Sequence, residues 1–392
     1  MEIGILTGTR PDIIKMAPLF WEAKKRGHDA VLIHTGQHYS AHLFSGVYAS
    51  MKLPSPTHRL ETGECASPAE SVAKMMLALD NLLREKEKPD ILLVHGDTLT
   101  ALAGSLAAYL NLVPVGHVEA GLRTFSREPF PEQLDTRAAD AASDLYFAPT
   151  ELNKKNLLRE GFPKERIFVT GNTSVDTALW AAKKSNKEAL EFFAAHGVNF
   201  LLPTIYFSIH RRETTMGKGR FLAAADAACA LSEKGYCVVW SIRPGTKVAI
   251  KECNLAGELA AHKNLHLIEE IPSYSHIVHL MQKCRFVCTD SGSMQEEAAA
   301  LHVPCVSVRY VTDRPESVEA GCNILAPPKD AQTILAAAEY AEKNHSKMSS
   351  AKNPYGEGNS AKLILDAIEK SEGNFIRWES WKTDGKQKND AV

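Results

Sequence analysis

Several features that would point directly to a function are missing from this chain of 392 residues. Its eight cysteines form no Cys-x-x-Cys pair, so the sequence predicts neither a disulfide framework nor a zinc site. No apolar run approaches the length of about 18 residues that a membrane span needs. The formal net charge is −2, which leaves no basic excess for nucleic acid. Neither a Gly-x-Gly-x-x-Gly fingerprint nor a Walker A sequence occurs, so nothing indicates a dinucleotide or ATP.

The cysteine distribution and the amino terminus predict a cytoplasmic protein. Cys284, Cys288 and Cys305 lie in apolar, strand-like runs, where cysteine acts as a small hydrophobic residue. That usage is expected in a reducing compartment. Met1 stands almost directly before the apolar run Ile3–Leu6, so we expect no signal peptide.

The composition is that of a globular protein large enough for two domains. Hydrophobic residues make up 44% and charged residues 23% of the chain. Short β-rich runs alternate with helical patterns, which predicts parallel sheets covered by helices on both faces. The pattern restarts near 171–176. We therefore predict an α/β protein with two Rossmann-like domains, at 1–172 and 173–360, a final helix at 361–380 that packs back on the first domain, and a polar tail at 381–392.

The individual elements follow from apolar periodicity and from the turn residues between them. The predicted strands are Ile3–Thr7, Ala30–His34, Ile91–His95, Val113–Val118, Leu145–Ala148, Ile167–Thr170, Thr204–Ser208, Val238–Ile242, Leu265–Ile268, Cys284–Thr289 and Cys305–Val308. The main predicted helices are Ile13–Arg26, Ser67–Lys86, Trp180–Ala195 and Ala361–Lys370. Ligands of open parallel sheets bind at the carboxyl ends of the strands, and here unusual polar clusters fall at those ends.

The stretch Asp290–Glu297 stands between a strand-like run and the helical run Ala298–Leu301. A turn of small residues before a helix directs backbone N–H groups and the positive end of the helix dipole at one point, which favours a phosphate. Ser291 adds a hydroxyl donor, and Glu297 is placed to accept hydrogen bonds from ribose hydroxyls. Alone, the stretch also fits an ordinary strand–turn–helix junction.

Cations gather at three other strand ends. Arg10 and Lys15 follow the first strand and could reach one anion together, Arg as a fork and Lys as a point charge. The alternative is a capped helix with a solvated cationic face. The His-Arg-Arg run at 210–212 and Arg314 follow strands of the second domain. We interpret them as a diphosphate clamp, with a surface charge run as the alternative.

Three acids follow strands or stiff loops of the first domain, namely Asp97, Glu119 and Glu132. Carboxylates crowded in a half-dry cleft have pKa values that are pushed up and apart, which suits acid–base chemistry near neutral pH. Asp97 alone also fits a helix N-cap. Three acids around one cleft are harder to explain as caps.

Taken in order, these segments resemble the non-hydrolysing UDP-N-acetylglucosamine 2-epimerases. Each segment alone is weak evidence, but the ordered set is specific and covers nearly the whole chain. The segments are Gly8–Pro11, Thr35–Tyr39, His95–Thr98, His117–Thr124, Phe147–Glu151, Thr170–Thr173, His210–Glu213, Asp290–Glu297, Arg314–Glu316 and Lys352–Gly356.

The resemblance implies a fold like the B-type glycosyltransferases, with UDP bound by the second domain and a cleft between the two. It implies no metal and no nicotinamide cofactor, and a homodimeric enzyme of nucleotide-sugar metabolism and polysaccharide biosynthesis. The implied reaction is reversible epimerisation at C2 of UDP-N-acetylglucosamine (UDP-GlcNAc) to UDP-N-acetylmannosamine (UDP-ManNAc). Anti elimination of UDP gives 2-acetamidoglucal, and UDP adds back after protonation on the opposite face of C2.

The resemblance also assigns roles by position. The implied catalytic residues are Asp97, Glu119, Glu132 and His210. The implied substrate-binding residues are Arg10, Lys15, Ser291, Gly292, Glu297 and Arg314. An activating site, which holds a second UDP-sugar in bacterial members, is matched by Gln37, His38 and Arg211.

The chain also departs from the family pattern. Where the family usually has Pro-Glu-Glu-x-Asn-Arg, residues 131–136 read Pro-Glu-Gln-Leu-Asp-Thr, with Arg137 one place later. Gly-Ser at 292–293 stands for the usual Gly-Gly, and Arg-Pro at 243–244 for His-Pro. These changes retain the three acids and the clamp. They leave open which sugar is used and whether the activating site works.

Four alternatives remain. A hydrolysing relative would release N-acetylmannosamine and UDP, because water would intercept the glucal or the glucal would leave. An epimerase for a related UDP-2-acetamido sugar would share the same residues. A glycosyltransferase of the same fold would need an acceptor and would not exchange the C2 proton with solvent. A non-catalytic UDP-sugar sensor would not need three acids.

Overall fold

Two separate parallel sheets account for the alternation of strands and helices along the chain. The computed structural model describes residues 1–37, 41–63, 65–85 and 88–372, without the side chains of 41–45 and 85. The first sheet has the strand order β3-β2-β1-β4-β5-β6-β7 and the second has β10-β9-β8-β11-β12-β13. Both orders follow the Rossmann pattern, so the prediction of two Rossmann-like units is confirmed.

The strands of the first sheet are β1 Glu2–Thr7, β2 Asp29–His34, β3 His58–Arg59, β4 Ile91–His95, β5 Val115–Val118, β6 Leu145–Ala148 and β7 Ile167–Val169. Those of the second are β8 Thr204–Ser208, β9 Cys237–Ser241, β10 Leu265–Ile268, β11 Cys284–Thr289, β12 Cys305–Ser307 and β13 Asn323–Leu325. β4 and β8 are buried along their whole length, which requires helices on both faces of each sheet.

The helices up to the second sheet are α1 Arg10–Lys25, α2 Ala41–Ser50, α3 Pro68–Glu85, α4 Leu99–Leu110, α5 Glu132–Ala141, α6 Glu151–Arg159, α7 Thr173–Ala182 and α8 Lys187–Ala195. The remaining helices are α9 Arg212–Thr215, α10 Lys218–Glu233, α11 Pro244–Glu252, α12 Ala256–Ala261, α13 Tyr274–Lys283, α14 Gly292–Ala300, α15 Pro315–Glu319, α16 Ala331–Lys343, α17 His345–Ser349 and α18 Ser360–Ser371. None of these described helices combines the length and hydropathy of a membrane span.

Two helices hold the units together. α7 packs against α1 of the first unit and against α13 and α14 of the second. α18 packs against α1 and α7, with Ile364, Leu365 and Ile368 buried. Asp176 of α7 caps α18 by accepting from Ser360 N at 3.1 Å and from Ala361 N at 3.0 Å. The tail predicted at 381–392 lies outside the described residues.

The sequence prediction was wrong at several boundaries. The single helix predicted at Trp180–Ala195 is two helices, because α7 ends at Ala182 and α8 begins at Lys187. Ser185 Oγ accepts from Lys187 N at 3.4 Å, so a side chain competes with the helical hydrogen bonds at the break. The edge strands β3 and β13 are two and three residues long, too short to show a period. α14 begins at Gly292, so the turn before it is shorter than predicted.

Candidate active site

The candidate site lies where the carboxyl ends of strands from both sheets meet. In each sheet the strand order reverses beside the first strand, between β1 and β4 and between β8 and β11. Ligands of such sheets bind in the crevice at that reversal. Here the two crevices face each other, because Lys15 of α1 donates at 3.1 Å to Glu296 of α14.

A buried ion network forms the floor of this crevice. Lys15 Nζ donates to Glu119, which follows β5, and to Glu296. Arg314 donates from Nε to Glu296 at 2.5 Å, from Nη2 to Glu119 at 3.4 Å, and from Nη1 to Asp313. Lys15 is only 2% exposed, so the alternative interpretation that it belongs to a solvated cationic helix face is wrong. Buried charges such as these are stable only when they are paired.

Glu119 is the most heavily contacted carboxylate of the network. Asn172 Nδ2 donates to its Oε1 at 2.8 Å, and His95 Nε2 lies 3.2 Å from the same oxygen. Burial alone would raise the pKa of Glu119, but Lys15, His95 and Arg314 outweigh it and hold the pKa well below its ordinary value. Glu119 is therefore ionised throughout the neutral range.

His95 connects Glu119 to a second buried carboxylate. Its Nδ1 lies 3.1 Å from Asp12 Oδ1, while its Nε2 faces Glu119. Burial would lower the pKa of His95, but Glu119 and Asp12 raise it to about 9. The imidazole is thus a cation that lies between two carboxylates and stabilises the charges of both Glu119 and Asp12.

The backbone at Glu119 is strained. Its φ is 68°, in the left-handed region that non-glycine residues rarely adopt. Such a conformation costs about 1–3 kcal/mol and persists only where the surroundings fix it. The hydrogen bonds from Lys15, Asn172 and Arg314 provide that constraint. Strain at a residue held this tightly marks Glu119 as a functional candidate.

A second group of carboxylates lies near the amino terminus of α5, apart from the buried ion network. It contains Asp97, Glu132 and Asp135. Thr98, not Asp97, caps α4, since Thr98 Oγ1 accepts from Ala101 N at 3.1 Å. The N-cap interpretation of Asp97 is therefore wrong. Arg211 of the second unit donates to Glu132 Oε1 at 2.5 Å, so this group also spans both units.

The pKa values of this second group move in the opposite direction from that of Glu119. Burial raises the pKa of Glu132, with Asp97 adding to the effect and Arg211 opposing it. Burial, Asp97 and Glu132 raise the pKa of Asp135 to about 7. One crevice thus holds a carboxylate whose pKa is lowered and two carboxyls whose pKa values are raised. That separation is the arrangement that acid–base catalysis requires.

His210 follows β8 and belongs to the side of the crevice that the second unit forms. Asp290 fixes the backbone there, accepting from His210 N at 3.0 Å and from Arg211 N at 2.9 Å. Burial, together with Arg243 and Arg211 and against the charge of Asp290, lowers the pKa of His210 to about 4. The neutral imidazole can accept a proton or donate a hydrogen bond when an anion arrives.

The first residues of α14 leave room for a ligand to approach the backbone closely. Ser291 is the N-cap residue, but its side chain makes no capping hydrogen bond and is available to a ligand. A Cβ at Gly292 would lie 2.4 Å from Arg314 Nη1, so a side chain there would displace the guanidinium. The helix terminus, a free hydroxyl and the adjacent guanidinium together favour an anion.

Arg10 of the first unit and Glu297 of the second unit lie close enough for their charges to interact. Tyr274 OH donates to Glu297 Oε1 at 2.9 Å, and burial raises the pKa of Glu297 to about 7. Burial and the nearby Arg243 lower the pKa of Arg10 to about 10. Arg10 and Arg243 thus lie close enough to repel each other, and two neighbouring cations of this kind favour the binding of a diphosphate.

The residues matched to an activating site are only partly assembled. Gln37 Oε1 accepts from Thr100 N at 3.1 Å and from Thr100 Oγ1 at 2.7 Å. His38 lies outside the described residues. Gln133 Oε1 accepts from Thr124 N at 2.9 Å. Of the two residues at this departure from the family pattern, Thr136 is buried and Arg137 is exposed.

Sequence reasoning missed five residues of the ion network. His95, Asn172, Glu296 and Asp313 each contact one of the assigned residues, and Asp12 contacts His95. Four of them stand within three positions of an assigned residue, inside or beside the same motifs. The sequence does not show that these polar residues are buried. A polar residue next to the end of an apolar strand is the signal that could have indicated their burial.

Comparison with known proteins agrees with this geometry. The family model described as UDP-N-acetylglucosamine 2-epimerase matches residues 22–369. The curated UDP-N-acetylglucosamine 2-epimerase of Methanocaldococcus jannaschii is 38% identical over 371 residues, 93% of this chain and 98% of that protein. The enzyme of that name from Salmonella typhimurium is 35% identical, over 94% of this chain and 98% of its own.

Solved structures give the same result. The M. jannaschii UDP-GlcNAc 2-epimerase in complex with UDP-GlcNAc and UDP has a TM-score of 0.85 at 36% identity, covering 94% of this chain and 100% of that chain. The Neisseria meningitidis enzyme bound to UDP-GlcNAc has a TM-score of 0.85 at 32% identity, with the same coverage. The predicted glycosyltransferase-B-like arrangement of two Rossmann-like domains is thus confirmed. On its sequence and its fold, the chain belongs to the UDP-N-acetylglucosamine 2-epimerase family.

Proposed function

We propose that this protein is a non-hydrolysing epimerase that interconverts UDP-GlcNAc and UDP-ManNAc. The observation that carries the proposal is the pair of carboxyl environments in one crevice, with Glu119 held ionised and Glu132 biased towards its protonated form. An inversion at C2 needs one group that removes a proton and another that delivers one. Glu119 follows β5 and Glu132 begins α5, and from these two positions they could act on opposite faces of a sugar.

The nucleotide is assigned to the second unit. Ser291 and Gly292 at the start of α14 would receive a phosphate, with Arg10 and His210 on either side. Glu297 would accept from the ribose hydroxyls. Lys15 and Arg314 are already paired with carboxylates, so a diphosphate would reach them only by competing with Glu119 and Glu296. Their first role in this proposal is to hold Glu119 in place.

The reaction then runs in two balanced steps. A carboxylate base takes the C2 hydrogen, a C1–C2 double bond forms, and the C1–O bond breaks with its electron pair leaving on UDP. His210 and the cations around it stabilise the charge that develops on the diphosphate. A carboxyl on the other side then protonates C2, and the UDP oxygen attacks C1. In this proposal Asp97, Glu119 and Glu132 carry out these proton transfers.

We also propose that the enzyme is a cytoplasmic homodimer. All eight cysteines are free thiols, which fits a reducing compartment. Leu77 of α3 and Tyr109, Leu110 and Leu112 at the end of α4 are large apolar side chains that are more than half exposed. α3 and α4 pack side by side. A shared apolar surface of this kind is typical of an interface between copies.

Incubation with UDP-GlcNAc in D2O tests the proposed function. We expect UDP-ManNAc to form and deuterium to enter C2 of both sugars, because each turnover draws the returned proton from exchangeable carboxyls. C2 is read by NMR, and free UDP is assayed in parallel. Free N-acetylmannosamine and UDP as the main products would favour the hydrolysing alternative. UDP-sugar that is bound but shows no exchange at C2 would favour a sensor or a glycosyltransferase.

The activating site gives a second expectation. Gln133 carries no charge, and its one acceptor oxygen already binds Thr124 N. The coupling free energy between two ligand sites is typically about 1–3 kcal/mol. With Gln133 in place of a carboxylate, the activating site should lose most of its coupling to the catalytic site. We therefore expect pure UDP-ManNAc to be converted without a lag. Initial rates with and without trace UDP-GlcNAc measure this, and Gln133→Glu should introduce the dependence. A zero rate that trace UDP-GlcNAc rescues would show an intact activating site.

A further inference from the structure

Asp135 is a buried carboxyl that has no partner of its own. It lies in the first turn of α5 and is 2% exposed. Among the residues that the structure describes, none donates a hydrogen bond to its side chain and none forms an ion pair with it. An ionised carboxylate in such a place is strongly destabilised, so the group keeps its proton instead.

The charges around Asp135 favour its protonated form, as its burial does. Glu132 stands three residues earlier on the same helix face, and Asp97 follows β4. α4, the helix that packs on α5, contains no Asp, Glu, Lys, Arg or His. Burial and the two neighbouring carboxylates raise the pKa of Asp135 to about 7. Arg211, the cation that contacts this acidic group, is paired with Glu132.

Glu132 offers a place for that proton. Its Oε1 accepts from Arg211 Nη1, while its Oε2 is buried and has no hydrogen-bond partner within the described ranges. A carboxyl that has given its proton to a substrate must recover one before the next turnover. Although the Glu132 side chain is 24% exposed, its Oε2 atom is shielded from solvent, and the Asp135 carboxyl lies next to it on the same helix face.

We propose that Asp135 is a positioning residue that stores the proton with which Glu132 is recharged during turnover. After Glu132 has protonated C2, the Asp135 O–H gives its proton to Glu132 Oε2 and becomes a carboxylate. After the product has left the crevice, Asp135 takes up a proton from the water that enters it, and the proton taken from C2 by the base on the other side is released to the same water. No proton or electron pair is left over. This inference rests on the proposed function and deepens it.

The pH dependence of kcat tests the proposal. Wild-type kcat should be constant below pH about 7 and fall above it, as Asp135 loses its proton. Asp135→Asn keeps the shape but carries no transferable proton, so kcat should drop about 10-fold, less than for a direct acid. The fall above neutral pH should disappear, KM should stay the same, and Asp135→Glu should recover part of the rate.

Asp144→Asn is the matched control. Asp144 belongs to the same unit and burial also raises its pKa, but it accepts from Val115 N at 2.9 Å and lies outside the crevice. Its variant should keep the wild-type profile. An Asp135→Asn enzyme with wild-type kcat and an unchanged profile would overturn the proposal, provided that the wild type epimerises its substrate.

An infrared measurement separates this proposal from the proposed function. The difference spectrum between pH 6 and pH 8 should contain a protonated-carboxyl band in the wild type that Asp135→Asn lacks and Asp144→Asn retains. That result is expected whether or not UDP-GlcNAc is a substrate. If the band is identical in all three proteins, Asp135 does not hold the proton and the inference is wrong.

Discussion

Glu119→Gln is expected to lower kcat by about 100-fold or more, the usual scale for a positioned acid or base. The amide cannot take a proton from C2, and it leaves Lys15, His95 and Arg314 with one counter-charge fewer. Breaking a buried ion pair in this way typically costs about 3–5 kcal/mol of folding stability. UDP-GlcNAc turnover and urea unfolding of the same preparation measure both effects.

Glu296→Gln separates the chemical from the structural contribution. Glu296 also pairs with Lys15 and Arg314 and is fully buried, but it is enclosed by Ser174 and those two cations. Its variant should lose comparable stability and a smaller share of kcat. If the two variants lose the same factor in kcat, Glu119 acts only by organising the cations, and its assignment as an acid–base residue is wrong.

The architecture could be predicted because it depends on local patterns. Apolar strands separated by helical periods specify parallel sheets, and the carboxyl ends of those strands specify the crevice. For that reason Asp97, Glu119, His210 and Ser291 could be proposed without coordinates. The break between α7 and α8 was missed since Ser185 acts through a single side-chain hydrogen bond, which leaves no periodic signal.

The electrostatics could not be predicted, because they depend on contacts between distant parts of the chain. Lys15 and Arg314 were assigned to a ligand, yet the structure pairs them with Glu119 and Glu296 from both units. Motif spacing shows which residues stand at a strand end. It does not show whether a neighbouring strand brings an opposite charge or, as at Asp135, brings only further carboxylates.

Arg314→Ala is expected to lower the free energy of unfolding by about 3–5 kcal/mol, because it leaves three buried carboxylates without their common cation. Burial alone would raise the pKa of Asp313, but Arg314 and Arg309 outweigh it and hold the pKa well below its ordinary value. The folded protein therefore binds fewer protons than the unfolded chain in mild acid. That contribution is present above pH about 4, the ordinary pKa of Asp, and is lost as the pH falls below it.

Urea unfolding at pH 7 and at pH about 3, below the ordinary pKa of Asp, checks both the size and the sign of this effect. The wild type should lose more stability on acidification than Arg314→Ala, since the variant has already lost the interaction that depresses the pKa of Asp313. Arg285→Ala is the control, because Arg285 makes a similar two-point contact with Glu342 at 2.7 and 3.3 Å on a partly exposed surface. An exposed pair of that kind contributes about 0–1 kcal/mol. If Arg314→Ala costs no more than Arg285→Ala, Arg314 is not what stabilises the two units against each other, and Lys15 and Asn172 are sufficient to hold Glu119 in its strained conformation.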